Sequence, residues 1–413
     1  MLDSNIRIGI IGAGAAGLST AWALKHKGYK NITLLEKEAI VGGKCHTFYY
    51  QNRPFELGAV FLTPAYKNTL SIMAELGLKV VSLRKNNRVF LNTNGIEIKL
   101  IDKLDLIKFY WEVFIVLPYL FLKYRKIFQP GYKHVYEDLY QSFETFCEKN
   151  NLQLFAKFAN TICSAFGYGY FDKVPTAYYL KYLKLSIILA ILKQEVFTFA
   201  DGTATICKKL AIQFDVRYKQ EIISIKRNEI IQVTTQDEIF KFDKLILACP
   251  LDNCLDFLDT TVEEQHLFSQ INYNTYYSFA FIVDNMPDKD RGYFPENCSR
   301  NNQGHTMCWF RKYPDINLYI FYAIANNEQK IEDVEEIIIK DLNKIGATIK
   351  EKYIYAKWKY FPHVSTEAMQ NKFYERLESL QGINNTYFTG ELLNFSYVEG
   401  VIEYSYALVK KFF

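Results

Sequence analysis

Several features that would classify a 413-residue chain at once are missing here. The eight cysteines, Cys45, Cys147, Cys163, Cys207, Cys249, Cys254, Cys298 and Cys308, form no CxxC pair, and no histidine stands at a spacing suited to zinc. No metal site is expected, and the cysteines read as reduced thiols used mostly for packing. Lys and Arg total 49 against 45 Asp and Glu, a net charge of +4 without a dense basic run, so no nucleic-acid partner is expected. No uncharged apolar run reaches the ~20 residues that a spanning helix requires, and Val113 to Leu122 falls far short of it. Met1 leads straight into a strand-like run with no basic-then-apolar leader, so no secretory signal is expected and a cytoplasmic location follows. With only 10 Pro and 20 Gly, the composition is neither fibrous nor disordered.

What the chain has in quantity is aromatic surface. Its 31 Tyr and 32 Phe serve either bulky cores or a long apolar ligand. A 49% hydrophobic content supplies cores for two or three domains.

One stretch organises the rest. Arg7 to Ile11 is a β-branched run, Gly12-Ala13-Gly14-Ala15-Ala16-Gly17 follows at once, and Leu18 to Lys27 has apolar residues at helical spacing. In such a strand–turn–helix unit, Gly12 permits the turn, Gly14 lets a pyrophosphate reach the helix N-terminus, and Gly17 lets helix and strand pack closely. Ile32 to Leu35 reads as a second strand ending in Glu36, about 20 residues beyond the glycines, where an acid can bind ribose hydroxyls. Alone, the glycines leave a structural turn as the alternative; strand, helix and acid together favour a dinucleotide. Val41-Gly42-Gly43-Lys44, a second glycine pair with a following cation, lies outside the simple nicotinamide fingerprint and points to FAD, a surface turn with a solvated lysine being the alternative.

Beyond Lys44, Tyr66 to Gly77 reads as a helix, and Lys79 to Leu100 as strands with Asn92-Thr93-Asn94-Gly95 as a hairpin turn, Arg88 lying on the first of them. Asp102 to Lys126 is the most apolar part; Lys108, Glu112 and Pro118 interrupt it. The alternatives are a core helix and a helix docked on a membrane surface. It opens a helical insertion that reaches Leu192, is broken at Ala165 to Phe171, and resumes a helical pattern at Lys181. A helix is expected around Ile206 to Phe214, and strands at Glu221 to Ile225, Phe242 to Cys249, Tyr277 to Val283, Thr306 to Phe310 and Leu318 to Ala325. Ile331 to Ile345 reads as a helix. Thr386 to Thr389 is an apolar strand ending at Gly390-Glu391, and Val398-Glu399-Gly400 opens a last helix to Val409.

These segments in this order resemble the flavin amine-oxidase-like superfamily. Val41 to His46, Ala165 to Phe171, Val174-Pro175, Leu180 to Leu183, Ala200 to Thr203, Tyr360 to Ser365 and Leu408 to Phe413 resemble, within it, the FAD-dependent polyenoic fatty acid isomerases, also called linoleate isomerases. The resemblance implies FAD as cofactor, held by Gly12, Gly14, Ala15, Ala16, Gly17, Glu36, Lys37, Gly43, Lys44, Ala59, Val60, Ile222, Gly390, Glu391 and Val398. The pair Gly58-Ala59 would pass close to the flavin ring, a β-bulge glycine being the alternative. Phe166 and Tyr168 match positions near the reactive carbons of the substrate, or else pack against the lid. Arg88 matches the carboxylate-binding arginine, the alternative being a surface arginine. Where the family has a phenylalanine beside that arginine, this chain has Ile191, which leaves substrate length and product geometry open.

The fold expected is α/β: a Rossmann-type FAD-binding domain from residues 1–66, 196–252 and 382–413, a mixed-sheet substrate domain from 67–100 and 253–381, and a helical lid from 101–195. The function implied is redox-neutral isomerisation of a free polyunsaturated fatty acid through flavin N5, with no certain catalytic side chain. The rivals are a flavin-dependent oxidase or desaturase of an amine or lipid, and a catalytically silent flavoprotein. Transient membrane contact through the lid accompanies the first reading; oligomeric state is open.

Overall fold

The computed structural model describes residues 4–413. Met1, on which the expectation of no leader rests, lies outside the described residues. Arg7–Ile11 forms β1, Ala15–His26 forms α1 and Asn31–Leu35 forms β2, with Ile8, Ile10, Leu18, Leu24 and Leu34 fully buried between strand and helix. A Cβ on Gly17 would lie 2.0 Å from the Gly12 carbonyl oxygen, so only glycine allows α1 to approach the turn this closely. β1 and β2 centre a five-stranded, all-parallel sheet completed by Asp215–Arg217 beside β2 and by Lys244–Leu247 and Thr386–Phe388 beyond β1. An antiparallel trio, Ile222–Arg227, Ile231–Thr235 and Ile239–Phe242, follows in the chain.

The second large sheet has six strands in the order Thr348–His363, Asn272–Asp284, Leu318–Ala325, Cys308–Phe310, Arg291–Tyr293, Arg88–Phe90. Its pairings are antiparallel except the last, which is parallel. One face packs on Ile331–Lys344 through Val334, Ile338 and Leu342, a satellite core of its own. A small sheet of Phe61–Leu62, Phe197–Phe199 and Val80–Ser82 joins segments that the sequence distributes over different domains. The architecture is thus a mixed α/β fold with a Rossmann-type sheet, a mixed sheet and a helical insertion.

Several expectations are corrected. The turn at Asn92 to Gly95 forms, held by the Asn92 side chain, but only a single bridge, Leu91 to Glu97, follows it instead of a second strand. Lys181 to Leu192 is not one helix: Thr176–Tyr182 and Leu185–Leu192 are separated at Leu183 and Lys184. The apolar segment runs as Leu106–Trp111, a π-helical turn Glu112–Val116, and Leu117–Lys123. Phe109, Val113, Leu117, Leu120 and Phe121 are buried while the opposite face is open, so it is a core helix on one side only. No helix among the described residues is long and apolar enough to cross a membrane.

Candidate active site

The glycine turn, the GG segment and the C-terminal Gly-Glu converge although they lie far apart in sequence. Gly14 and Gly42 form a parallel bridge, the Gly42 N–H donates to the Ala13 carbonyl at 3.0 Å, and a Cβ on Gly43 would touch the Gly14 Cα at 3.6 Å. Lys44 Nζ stands 2.9 Å from Glu391 Oε2 and lies over the Tyr360 ring at 5.9 Å. The pair is partly buried, so its attraction is screened less than on an open surface. Glu36 is buried; its carboxylate accepts the Ala13 N–H at 2.7 Å and the Glu38 N–H at 3.0 Å. It therefore ties the glycine turn to the end of β2, and each oxygen keeps lone-pair capacity for a further donor. Gln220 donates its N–H to the Glu36 carbonyl at 2.8 Å, two residues before the half-buried Ile222. Lys37 is exposed and pairs with Glu38 at 3.7 Å.

The Gly58-Ala59 pair has a reason of its own. A Cβ on Gly58 would lie 1.8 Å from the Lys44 carbonyl oxygen, and the Ala59 N–H donates to that oxygen at 2.9 Å. Thr203 Oγ1 donates to the Ala59 carbonyl at 2.6 Å, and Val60 is buried next to it. Glycine here serves contact with the protein's own backbone. At the C-terminal helix Val398–Phe412, the Glu399 carboxylate accepts the N–H groups of Asn68 and Thr69 at 2.9 and 2.8 Å, locking it to the start of helix Lys67–Glu75.

These residues fit a dinucleotide. The α1 N-terminus has no side-chain cap and no acid in its first turn, so the N–H groups at Ala15 and Ala16 and the helix dipole are available to an anion. A Cβ on Gly14 would meet nothing nearer than the Gly42 oxygen at 3.9 Å, and one on Gly390 nothing within 4 Å. A dinucleotide-binding turn beside a mixed sheet, with a helical insertion above, defines a flavoprotein of oxidoreductase type.

On the mixed-sheet side a cavity of ≈ 40 Å³ is lined by Phe61, Thr63, Tyr66, Arg88, Ile162, Phe166, Tyr182, Ile191, Val196, Arg291 and Tyr293. Arg88, Phe166 and Ile191, brought forward from the sequence, meet here. Tyr168 is not among the lining residues: it is buried one layer behind, its ring 5.0 Å from Tyr182, 4.7 Å from Phe395 and 5.9 Å from Tyr360. Gly167 and Gly169 both have positive φ, which turns Phe166 forward and Tyr168 back around the end of helix Gln153–Ala165. A volume near 40 Å³ has room for about one water.

Sequence reasoning missed Arg291. It is 5% exposed, its Nη2 donates to the Arg84 carbonyl at 3.0 Å, and its buried Nε has no partner. Neither Arg88 nor Arg291 forms an ion pair among the described residues; the neighbouring Asp290 pairs with Arg84. Burial lowers the Arg88 pKa from its ordinary value, and Arg291 lowers it further. Two desolvated guanidiniums without an acid make an anion trap with fixed forks. The segment Asp290-Arg291-Gly292-Tyr293 carries no signal of this in sequence; in the fold a Cβ on Gly292 would fall 1.9 Å from the Trp309 ring, so this glycine allows the close approach of its strand.

The chain belongs to the flavin containing amine oxidoreductase family, which it matches over residues 15–406, and its cofactor is FAD. Within that family, its structure superposes on the CLA-producing fatty acid isomerase from P. acnes with a TM-score of 0.95, 32% identity and 100% coverage of both chains. A segment of 76 residues, 18% of this chain and 15% of the other protein, is 37% identical to the polyenoic fatty acid isomerase of Ptilota filicina. Putrescine oxidase bound to putrescine shares the fold, at a TM-score of 0.75 and 14% identity over 98% of each chain.

Proposed function

We propose that this flavoenzyme moves double bonds within a free polyunsaturated fatty acid without net oxidation. The observation that carries the reading is the pair of acid-free guanidiniums, Arg88 and Arg291, at an otherwise apolar and aromatic cavity. FAD, held by the Gly12–Gly17 turn, Glu36 and the Lys44–Glu391 pair, would supply the hydride-accepting and hydride-donating chemistry that a double-bond shift without net oxidation needs. The protein's part is to hold and shield. Arg88 and Arg291 grip the carboxylate and fix how far the acyl chain reaches. Phe61, Phe166 and Tyr182 exclude water and offer ring faces to a transient positive charge on the diene. Tyr168 backs Tyr182 and keeps that wall rigid.

The rival, oxidation of an amine, places an ammonium group beside two like charges, which disfavours it. Anaerobic turnover separates the two. With polyunsaturated acids and no oxygen, an isomerase accumulates many equivalents of conjugated diene per flavin, whereas an oxidase or desaturase stops after one. A single equivalent, with bleached flavin, would overturn the proposal. No reaction with any free fatty acid would do the same.

A further inference from the structure

The most conspicuous surface not used by this chemistry lies on the helical insertion. Leu106–Trp111, Glu112–Val116 and Leu117–Lys123 run on with right-handed helical dihedrals at Glu112 and Leu117, so they form one continuous rod. Its inner side is fixed by Phe109, Val113, Leu117 and Phe121 and by Glu112, whose carboxylate accepts the N–H groups of Leu154 at 3.4 Å and Phe155 at 2.7 Å, capping helix Gln153–Ala165. That leaves no freedom for the rod to roll its outer side inward.

The outer side is apolar. Ile107 is 84% exposed, Trp111 60%, Tyr119 67% and Leu122 73%, with Tyr110, Phe114 and Ile115 about half exposed between them. From Leu106 to Leu122 the only exposed charge is Lys108, since Glu112 faces inward. Charge is collected at the two ends instead. Exposed Lys103 precedes the rod, exposed Lys123 ends it, and exposed Arg125 and Lys126 follow; of these Lys123 pairs with Asp138. Asp102 and Asp105 are the acids near the first end.

We propose that this face is a monotopic docking surface for an anionic lipid bilayer. A rod with aliphatic and aromatic side chains along its length, Trp and Tyr among them, Lys108 on its exposed side and a cluster of cations at its far end matches the layering of the lipid interface: acyl chains under the rod, phosphates at its margin. A protein groove would not need the flanking cations. The rod is also joined to the cavity. Phe109 contacts Phe158 ring to ring at 5.7 Å, and the helix bearing Phe158 carries Ile162 and, just past its end, Phe166 into the cavity wall. An apolar substrate partitioned in the bilayer would thus reach the cavity from beside the docked helix.

The test does not use turnover, so its failure leaves the isomerase reading standing. The flavin-loaded protein is sedimented with vesicles of phosphatidylcholine alone or mixed with phosphatidylglycerol. We expect it to pellet with the mixed vesicles, more weakly with the neutral ones, and less as salt rises. In vesicles of brominated lipid the fluorescence of Trp111 should be quenched, and Trp111→Phe should remove that quenching, because Trp22 and Trp309 are buried and Trp358 is half-buried. Ile107→Asp with Phe114→Asp should leave the protein in the supernatant with unchanged flavin content and thermal midpoint, since both side chains point outward. Equal pelleting of this double variant would overturn the proposal. So would a dimer in sedimentation velocity that this variant dissolves, with no vesicle binding by the parent chain; that outcome assigns the face to a second copy.

Discussion

Arg88 and Arg291 are register partners across the parallel pair of strands at the edge of the mixed sheet. Partners in a parallel ladder project to the same side, and both side chains line one cavity, with Phe90 and Tyr293 stacked at 5.5 Å further along the same pair. The Arg88 guanidinium lies over the Phe90 ring at 5.7 Å. Two strands brought together from distant parts of the chain therefore set two guanidiniums side by side at one cavity.

Arg88→Ala is expected to raise KM for free fatty acids at least tenfold while flavin content stays intact, because truncating one partner of a desolvated charge pair costs about 2–5 kcal/mol. A methyl ester, lacking the charge, should be much less affected. Arg88→Lys should recover only part of the loss, since an ammonium group lacks the planar fork. Steady-state kinetics on acid and ester check this; equal losses for both would place Arg88 outside the carboxylate contact.

The strand–turn–helix elements around the glycine turn are legible in the sequence, and the cavity that holds the two arginines only partly. Gly12 to Gly17, Glu36 and Gly390-Glu391 sit in local strand–turn–helix patterns, so their spacing carries the information. Arg88 could be named through family resemblance. Arg291 could not: its strand, Arg291–Tyr293, is too short for an alternation signal, and its meaning arises from pairing with a strand far away in the chain. The 106–123 rod shows the opposite problem. Its apolar residues occupy both sides, so periodicity gives a helix without saying which face is covered, and only the inward hydrogen bonds of Glu112 set the phase. Tyr168 shows that a matched motif does not fix depth; two positive-φ glycines decide which aromatic reaches the cavity.

Glu36→Ala is expected to lose FAD on purification. The substitution removes a carboxylate that accepts two backbone N–H groups at the glycine turn and that we propose binds the ribose hydroxyls. Loss of a charge-assisted hydrogen bond costs about 1.5–3 kcal/mol, or roughly 10- to 150-fold in affinity. The ratio of flavin to protein absorbance after gel filtration checks it, and a full complement of tightly held FAD would remove Glu36 from the binding set.

Gly58→Ala should be as damaging although it adds a single methyl group. The new Cβ would lie 1.8 Å from the Lys44 carbonyl oxygen, backbone that cannot yield without moving the GG segment and the Lys44–Glu391 pair. We expect weakened flavin retention together with a lower thermal midpoint, and added FAD should restore part of that midpoint by mass action. An unchanged midpoint in the flavin-loaded variant would show that the segment has slack.

Lys181 provides a pH test inside the insertion. It is fully buried in helix Thr176–Tyr182, and its Nζ donates to the carbonyls of Ile127 at 2.9 Å, Gly131 at 2.7 Å and Gln129. Three acceptors match the three protons of an ammonium group, yet no carboxylate bonds it, and burial brings its pKa down from 10.5 to about 7. A base that holds its proton less tightly when folded penalises folding while both states are charged. That penalty is complete below about pH 7 and fades as pH rises toward 10.5, because the unfolded chain then binds the extra proton. Lys181→Met leaves three carbonyls unsatisfied, at roughly 1–3 kcal/mol for each buried group, and abolishes the titration. The parent should therefore gain thermal stability relative to the variant from pH 7 to pH 9. Parallel melting curves across that range would mean that Lys181 keeps its proton throughout, with the three carbonyls outweighing the desolvation of the ammonium group.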